Sequence, residues 1–138
     1  MTWSTTEIEY EGFPLLLRRP DYNNIWEHIK KYTHLASVQH LLDKTTSNGL
    51  PEKDYNKSLA EFDHYMCSLF DRNFHGLIFL VETFGGKRNY YYYITSEFAI
   101  EKLVEQVIDD FDVKLTVTNR SDVDWDFLKA YPVKLFPQ

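Results

Sequence analysis

The sequence predicts an α+β fold in which helices pack against a mixed or antiparallel sheet. Residues 6–19 and 76–95 each contain two extended stretches around a two-residue turn with glycine, a pattern typical of β-hairpins. Residues 51–70 and 96–111 carry apolar side chains at spacings of three and four, as amphipathic helices do. No linker-like composition divides the chain, so residues 1–138 are expected to form a single domain.

The first half of the chain is predicted to supply two strands, a short helix, a third strand, a loop and the amphipathic helix 51–70. The hairpin turns at residues 11–12, and Pro14 predicts that its second arm lies at the edge of the sheet. Apolar residues on one side of 23–32 predict a short helix, and alternation over 34–42 predicts a strand. Residues 44–51 are expected to form a loop, because Asn-Gly followed by Pro interrupts both periods.

The second half is predicted to repeat this order. Its hairpin turns at residues 85–86, which would place Phe79 opposite Tyr92. After the second amphipathic helix, a strand over 113–118 and a short helix that ends before Pro132 complete the chain. The ββαβα order therefore occurs twice, which suggests a pseudo-repeat.

Four consecutive tyrosines, residues 90–93, place aromatic rings on both faces of the second hairpin. The face predicted to be core carries Leu77, Phe79, Val81, Tyr90, Tyr92 and Ile94. The opposite face is mixed and carries Ile78, Leu80, Glu82, Asn89, Tyr91 and Tyr93. Helix 51–70 could cover this mixed face, or the face could form a protein interface or hold a ligand, and the residues leave these alternatives open.

The candidate binding site consists of six residues at this hairpin: Glu82, Lys87, Arg88, Asn89, Tyr91 and Tyr93. Tyrosine and arginine dominate the hot spots of protein interfaces, because they combine a large contact area with polar groups. The same residues could bind a small anionic ligand, since the arginine fork fits a carboxylate or phosphate. A third alternative is a homodimer in which Tyr91 and Tyr93 meet their copies across a two-fold axis.

Composition and charge exclude several classes of partner. The formal net charge is -6, and no run of cationic residues is longer than the pairs at 18–19, 30–31 and 87–88, so nucleic acid is not expected as a partner. The N-terminus lacks a signal pattern and no stretch has membrane-spanning length, which predicts a cytoplasmic protein without a membrane partner. The single cysteine, Cys67, lies within an apolar helical pattern and is expected to be a buried, inert thiol.

No catalytic, metal-binding or cofactor-binding pattern is evident in the sequence. The five histidines have no spacing typical of metal ligands. Asp122, Asp124 and Asp126 have the opening rhythm of a calcium loop, but its glycine and closing glutamate are missing. We therefore predict no catalytic residue, no metal and no cofactor, and a non-catalytic role is favoured over an unrecognised enzyme.

Three short motifs carry a resemblance to a known family. They are Asn-Gly-Leu-Pro at 48–51, Gly-Gly-Lys-Arg followed by an aromatic strand at 85–93, and Asp-Val-Asp-Trp-Asp-Phe at 122–127. Together with Trp3 and Tyr10, their order over nearly the whole chain resembles the bacterial domain-of-unknown-function family six-nine-five.

The resemblance implies a regulatory binding module rather than an enzyme. Domains of this family look as if they occur alone or joined to domains similar to protein inhibitors of ribonuclease E, which act by binding an enzyme. Gly86, Arg88, Tyr90 and Tyr92 fall on the glycine-arginine-aromatic motif of the family. We therefore expect a cytoplasmic, acidic α+β domain that binds an unidentified protein partner, with a small-anion-binding protein or an enzyme as the alternative.

Overall fold

Two β-hairpins and two single strands join into one six-stranded sheet in this computed structural model, which describes residues 2–138. The strands are β1 (Trp3–Tyr10), β2 (Phe13–Pro20), β3 (His34–Leu41), β4 (Gly76–Phe84), β5 (Lys87–Ile94) and β6 (Leu115–Ser121). The helices are a 3₁₀ helix (Ile25–His28), α1 (Lys53–Ser58), α2 (Ala60–Cys67), α3 (Ile100–Phe111) and α4 (Asp126–Ala130). No helix among the described residues is long and apolar enough to span a membrane.

The predicted α+β class is confirmed, and every neighbouring pair of strands is antiparallel. The strand order across the sheet is β1-β2-β4-β5-β3-β6, so β1 and β6 are the edges. The second hairpin therefore lies in the centre of the sheet, where both of its faces are covered. The pseudo-repeat is not confirmed by this arrangement and stays a prediction.

The edge position predicted from Pro14 is wrong, because β2 lies between β1 and β4. The proline is nevertheless compatible with this internal strand. Only residues 16–18 of β2 pair with β4, so Pro14 lies outside the stretch in which a missing N–H would interrupt that ladder.

A β-bulge at Phe79 changes the predicted faces of the second hairpin. Tyr92 pairs with Ile78 and Tyr91 pairs with Leu80, which leaves Phe79 as the extra residue. As a consequence, Leu77 and Phe79 lie on the same face as Tyr91 and Tyr93, and Ile78 lies with Tyr90 and Tyr92. The prediction that Phe79 faces Tyr92 is therefore wrong, because one inserted residue exchanges the two sides of a strand.

Each face of the sheet has its own apolar core. Buried residues of α2 and α3 cover one face, here called the α2–α3 face, which includes Tyr90 and Tyr92. The other face, here called the C-terminal face, includes Tyr91 and Tyr93 and is covered by the 3₁₀ helix, α4 and residues 131–136. The alternative in which helix 51–70 covers Tyr91 and Tyr93 is wrong, and that helix is interrupted at Leu59.

The position of α4 depends on a small aromatic and polar cluster that directly precedes its first residue. The indole of Trp125 stacks on Tyr93 with ring centroids 4.3 Å apart and donates a hydrogen bond of 2.6 Å to the carbonyl oxygen of Tyr32. The Asp122 carboxylate accepts hydrogen bonds from the Tyr93 hydroxyl and from the backbone N–H groups of Asp126 and Phe127. The late aspartate-tryptophan motif therefore anchors α4 on the C-terminal face.

The two glycine motifs contact each other at one end of the sheet. Gly86 N donates a hydrogen bond of 2.9 Å to the carbonyl oxygen of Gly49. A Cβ atom on Gly49 would lie 3.0 Å from Gly85 Cα, and the φ angle of Gly49 is +87°. Glycine is required at position 49 because of both its left-handed backbone and its close contact with the hairpin turn.

Candidate binding cavity

A cavity of about 370 Å³ lies on the C-terminal face, between the sheet and the segment that begins in α4 and ends at Val133. Its volume falls within the range usual for small-molecule or side-chain binding sites. The lining residues are mostly apolar or aromatic: Ile8, Tyr10, Leu15, Glu82, Phe84, Tyr91, Phe127, Ala130, Tyr131, Pro132 and Val133. They come from β1, β2, β4, β5 and the C-terminal segment, so the cavity exists only in the folded chain.

Glu82 is the only charged residue among the described residues that line the cavity. Its carboxylate accepts hydrogen bonds from the hydroxyl of Tyr131, from Asn89 Nδ2 at 3.0 Å and from the hydroxyl of Tyr91 at 3.5 Å. Gln39 Nε2 in turn donates to Asn89 Oδ1 at 3.1 Å. Neutral donors thus hold the half-buried carboxylate in one orientation.

The two tyrosines that bond to Glu82 remain protonated. Burial raises the pKa of the Tyr131 hydroxyl far above its ordinary value, and the hydrogen bond to the Glu82 carboxylate raises it further. Burial also raises the pKa of Tyr91, and the negative charge of Glu82 and the hydrogen bond to it raise this pKa further. Both hydroxyls therefore act as donors to the carboxylate at neutral pH.

Aromatic rings form the wall and the rim of the cavity. The ring centroids of Tyr91 and Phe127 are 4.9 Å apart, and those of Phe127 and Tyr131 are 5.9 Å apart. At the rim, Tyr10 packs edge-on against Phe84 with centroids 5.6 Å apart. Tyr10 itself is 46% exposed, which leaves an aromatic surface next to the opening.

The structure brings together three of the six predicted site residues and separates the others. Glu82, Asn89 and Tyr91 form the polar group at the cavity. Lys87 is exposed at the start of β5 and does not line the cavity. The other two predicted residues are buried: Arg88 is 4% exposed and Tyr93 is fully buried.

Arg88 lies on the α2–α3 face, opposite the cavity. Its Nε donates a hydrogen bond of 2.9 Å to Thr83 Oγ1, and its Nη2 donates one of 3.2 Å to Asn56 Oδ1. Successive residues of a strand point to opposite faces, so Arg88 and Asn89 cannot both reach the cavity. Glu82 and Arg88, on which the small-anion alternative depends, are therefore on different sides of the sheet.

Four aromatic residues of the cavity are absent from the predicted site: Tyr10, Phe84, Phe127 and Tyr131. They come from three separate stretches of the chain, and only the strand order of the sheet and the packing of α4 and residues 131–133 on it bring them together. The one available signal is the high aromatic content, with ten Phe, ten Tyr and three Trp. That content predicts large aromatic clusters but does not locate them.

A second polar cluster lies on the α2–α3 face around Asp63. Arg18 donates hydrogen bonds of 2.7 and 2.8 Å to the two carboxylate oxygens, and the hydroxyl of Tyr90 donates one of 2.7 Å. Burial opposes ionisation of Asp63, but the hydrogen bonds and the charge of Arg18 outweigh it and lower the pKa of the carboxylate. This cluster joins β2, β5 and α2, and its geometry is that of a structural ion pair.

The thiol of Cys67 lies 4.0 Å from the Asp63 carboxylate. Burial raises its pKa to about 12, and the negative charge of Asp63 adds to this effect. A thiol with this pKa is an unreactive nucleophile at neutral pH, in agreement with the prediction for Cys67. Within residues 2–138, no group of three His, Cys, Asp or Glu side chains is arranged to hold a metal ion.

Comparisons with known proteins give a family and no closer relative. No curated protein and no solved structure matches this sequence. The bacterial source and the association with ribonuclease E inhibitors stay expectations from the resemblance. The chain matches the family of unknown function DUF695 over residues 3–131 and therefore belongs to that family.

Proposed function

We propose that this chain is a non-catalytic binding domain that holds a side chain of a partner protein in the cavity of the C-terminal face. The observation that carries the proposal is a cavity of about 370 Å³ with apolar and aromatic walls and one oriented carboxylate. Mostly apolar sites with a few convergent polar groups are typical of binding sites. A regulatory role by binding, rather than by chemistry, is consistent with this arrangement.

An extended segment of a partner is favoured because the cavity adjoins an edge strand. Ile8 and Tyr10 belong to β1 and line the cavity, while the outer side of β1 has no neighbouring strand among the described residues. This strand of eight residues contains no proline or lysine, and its charged residues, Glu7 and Glu9, oppose pairing with an acidic strand but not with a basic one. A partner segment that adds to β1 would gain backbone hydrogen bonds and could place one side chain in the cavity.

The experiment compares the wild-type protein with a variant whose cavity is filled. Ala130 is exposed and lines the cavity, so Ala130→Trp would occupy the opening without changing the core. Ala60→Trp is the matched control, because Ala60 is also exposed but belongs to α2 on the opposite face. All three proteins are used as bait in cross-linking and mass spectrometry on a lysate of the native cell.

We expect a partner that is captured by the wild type and by Ala60→Trp but is lost with Ala130→Trp. Circular dichroism and the melting temperature would establish that each variant is folded. Capture of the same proteins by all three baits, or of none by the wild type, would contradict the proposal.

A further inference from the structure

The geometry points to a cation as the group that the cavity holds: the ammonium group of a lysine side chain of the partner. In this arrangement Glu82 is the counter-ion, and the rings of Tyr91, Phe127 and Tyr131 surround the methylene groups and the charge. The inference rests on the proposed function and adds to it the chemical class of the bound side chain.

The first argument is the missing counter-charge of Glu82. All three of its hydrogen-bond donors are neutral, and no lysine or arginine among residues 2–138 lies within ion-pair distance of it. A buried carboxylate is usually paired with a cation or bound to a metal, and Glu82, now half-buried, would be buried once the cavity is occupied. Asp63 on the opposite face follows that rule through Arg18, whereas Glu82 does not. An incoming cation would supply the charge that the chain itself does not provide.

The second argument is the aromatic wall. Tyrosine and phenylalanine rings present negative faces that attract a cation within about 6 Å. Five of the residues that line the cavity are aromatic: Tyr10, Phe84, Tyr91, Phe127 and Tyr131. A neutral apolar group would fill the same space but would remove water from Glu82 without replacing it by an opposite charge.

The third argument is the net charge of the chain, which is -6. An acidic domain attracts a basic segment and repels an acidic one. Glu7 and Glu9 are exposed on β1 but alternate with Ile8 and Tyr10, so they lie on the opposite side of the strand from the cavity and contribute only to this net charge. The net charge also disfavours the carboxylate or phosphate ligand that the hairpin residues suggested.

A purely structural role of Glu82 would be to hold Tyr131 and the C-terminal segment against the sheet. The substitution Glu82→Gln removes the charge and keeps one acceptor oxygen for the Tyr131 hydroxyl, while its amide nitrogen replaces the oxygen that accepts from Asn89 and Tyr91. The ionic-strength dependence of the wild type therefore tests the charge without this change in hydrogen bonding. Glu105→Gln is the matched control, since Glu105 is an exposed carboxylate on α3 at the opposite face.

The test titrates the folded protein with two capped amino acids and follows the binding by NMR chemical shifts. The probes are Nα-acetyl-lysine methylamide and Nα-acetyl-norleucine methylamide, which differ by the ammonium group. We expect the lysine probe to bind about tenfold more tightly than the norleucine probe. Glu82→Gln should reduce this preference to the part that the aromatic rings supply and should leave norleucine binding unchanged, whereas Glu105→Gln should retain the full preference.

Two further measurements keep the test decisive. If Glu82→Gln does not fold, the ionic strength is raised on the wild type, which should weaken binding of the lysine probe but not of the norleucine probe. Titration with n-butylammonium distinguishes a free amine from a peptide side chain as the natural ligand.

Equal binding of the two capped amino acids, or no binding of any of the three probes, would overturn the cation inference while leaving capture of a protein partner as a separate result. Binding of butylammonium but of neither capped amino acid, together with no captured partner, would overturn the proposed function and retain the cation.

Discussion

The stability of this protein should decrease between pH 7 and pH 4 because of one buried histidine. His40 lies on β3, is 2% exposed and packs edge-on against Phe62 with ring centroids 5.0 Å apart. Its Nδ1 has no hydrogen-bond partner among the described residues. Burial, and to a smaller extent the positive charge of Arg88, lowers the pKa of His40 from 6.5 to about 4. The negative charges of Asp43 and Asp63 raise this pKa but do not outweigh the burial.

The expected magnitude follows from the two pKa values. Between pH 6.5 and about pH 4 the unfolded chain binds a proton at His40 that the folded chain does not bind. The stability that neutral His40 contributes is therefore fully present above pH 6.5. As the pH falls below 6.5, the free energy of unfolding decreases by about 1.4 kcal/mol per pH unit. The free energy of unfolding should decrease by about 3 kcal/mol across this window because of His40 alone.

The substitution His40→Leu removes the titrating group and the unpaired nitrogen while it keeps an apolar contact with Phe62. We expect its stability at pH 7 to lie within about 1 kcal/mol of the wild type, because loss of an unpaired polar atom offsets imperfect packing. At about pH 4.5 the variant should be more stable than the wild type by about 2 kcal/mol.

Urea denaturation at several pH values measures this difference directly. The control is His64→Leu, which removes an exposed histidine from α2 and should leave the pH dependence of the wild type unchanged. If His40→Leu loses as much stability on acidification as the wild type does, the reasoning is refuted and other groups cause the loss.

Two further predictions concern the stability of the fold. Gly49→Ala and Gly12→Ala both place alanine at a left-handed φ, +87° and +84° respectively. Only at position 49 would the added Cβ atom lie 3.0 Å from a backbone atom. Urea denaturation should therefore show Gly49→Ala to be less stable than Gly12→Ala by about 1–2 kcal/mol. Equal losses at the two glycines would exclude a role for the contact. Asp63→Asn should cost about 2 kcal/mol at pH 7 in urea denaturation, because it leaves the half-buried Arg18 without its counter-charge. In the same experiment Asp109→Asn, on the exposed side of α3, should cost less than about 0.5 kcal/mol. An Asp63→Asn variant as stable as Asp109→Asn would show that the ion pair contributes nothing.

The hairpins were predictable because their signals are local. The turns at residues 11–12 and 85–86 and the alternation beside them lie within short stretches of sequence. The bulge at Phe79 was not predictable from alternation, since an apolar run in a central strand shows no preferred face. That single residue decides which tyrosines face which core.

The candidate site was predictable in part for the same reason. Glu82, Asn89 and Tyr91 are brought together by the pairing of two adjacent strands, which the turn position determines. Tyr131 and Phe127 join them only through tertiary packing of α4 on the sheet. Arg88 was predicted to belong to the same site because its guanidinium could bind a partner or an anion, but it lies on the other face, where it donates hydrogen bonds to Thr83 and Asn56.

The sequence by itself determined the fold class, the two hairpins, the acidic charge and the family of this protein. These properties depend on composition, short-range periodicity and turn residues, all of which can be read within a few residues of one another. Only the tertiary structure decided the strand order, the two faces of the central hairpin and the cavity around Glu82. These depend on which distant segments pack together, and many packings satisfy the same local pattern until the buried surfaces of the whole chain are matched.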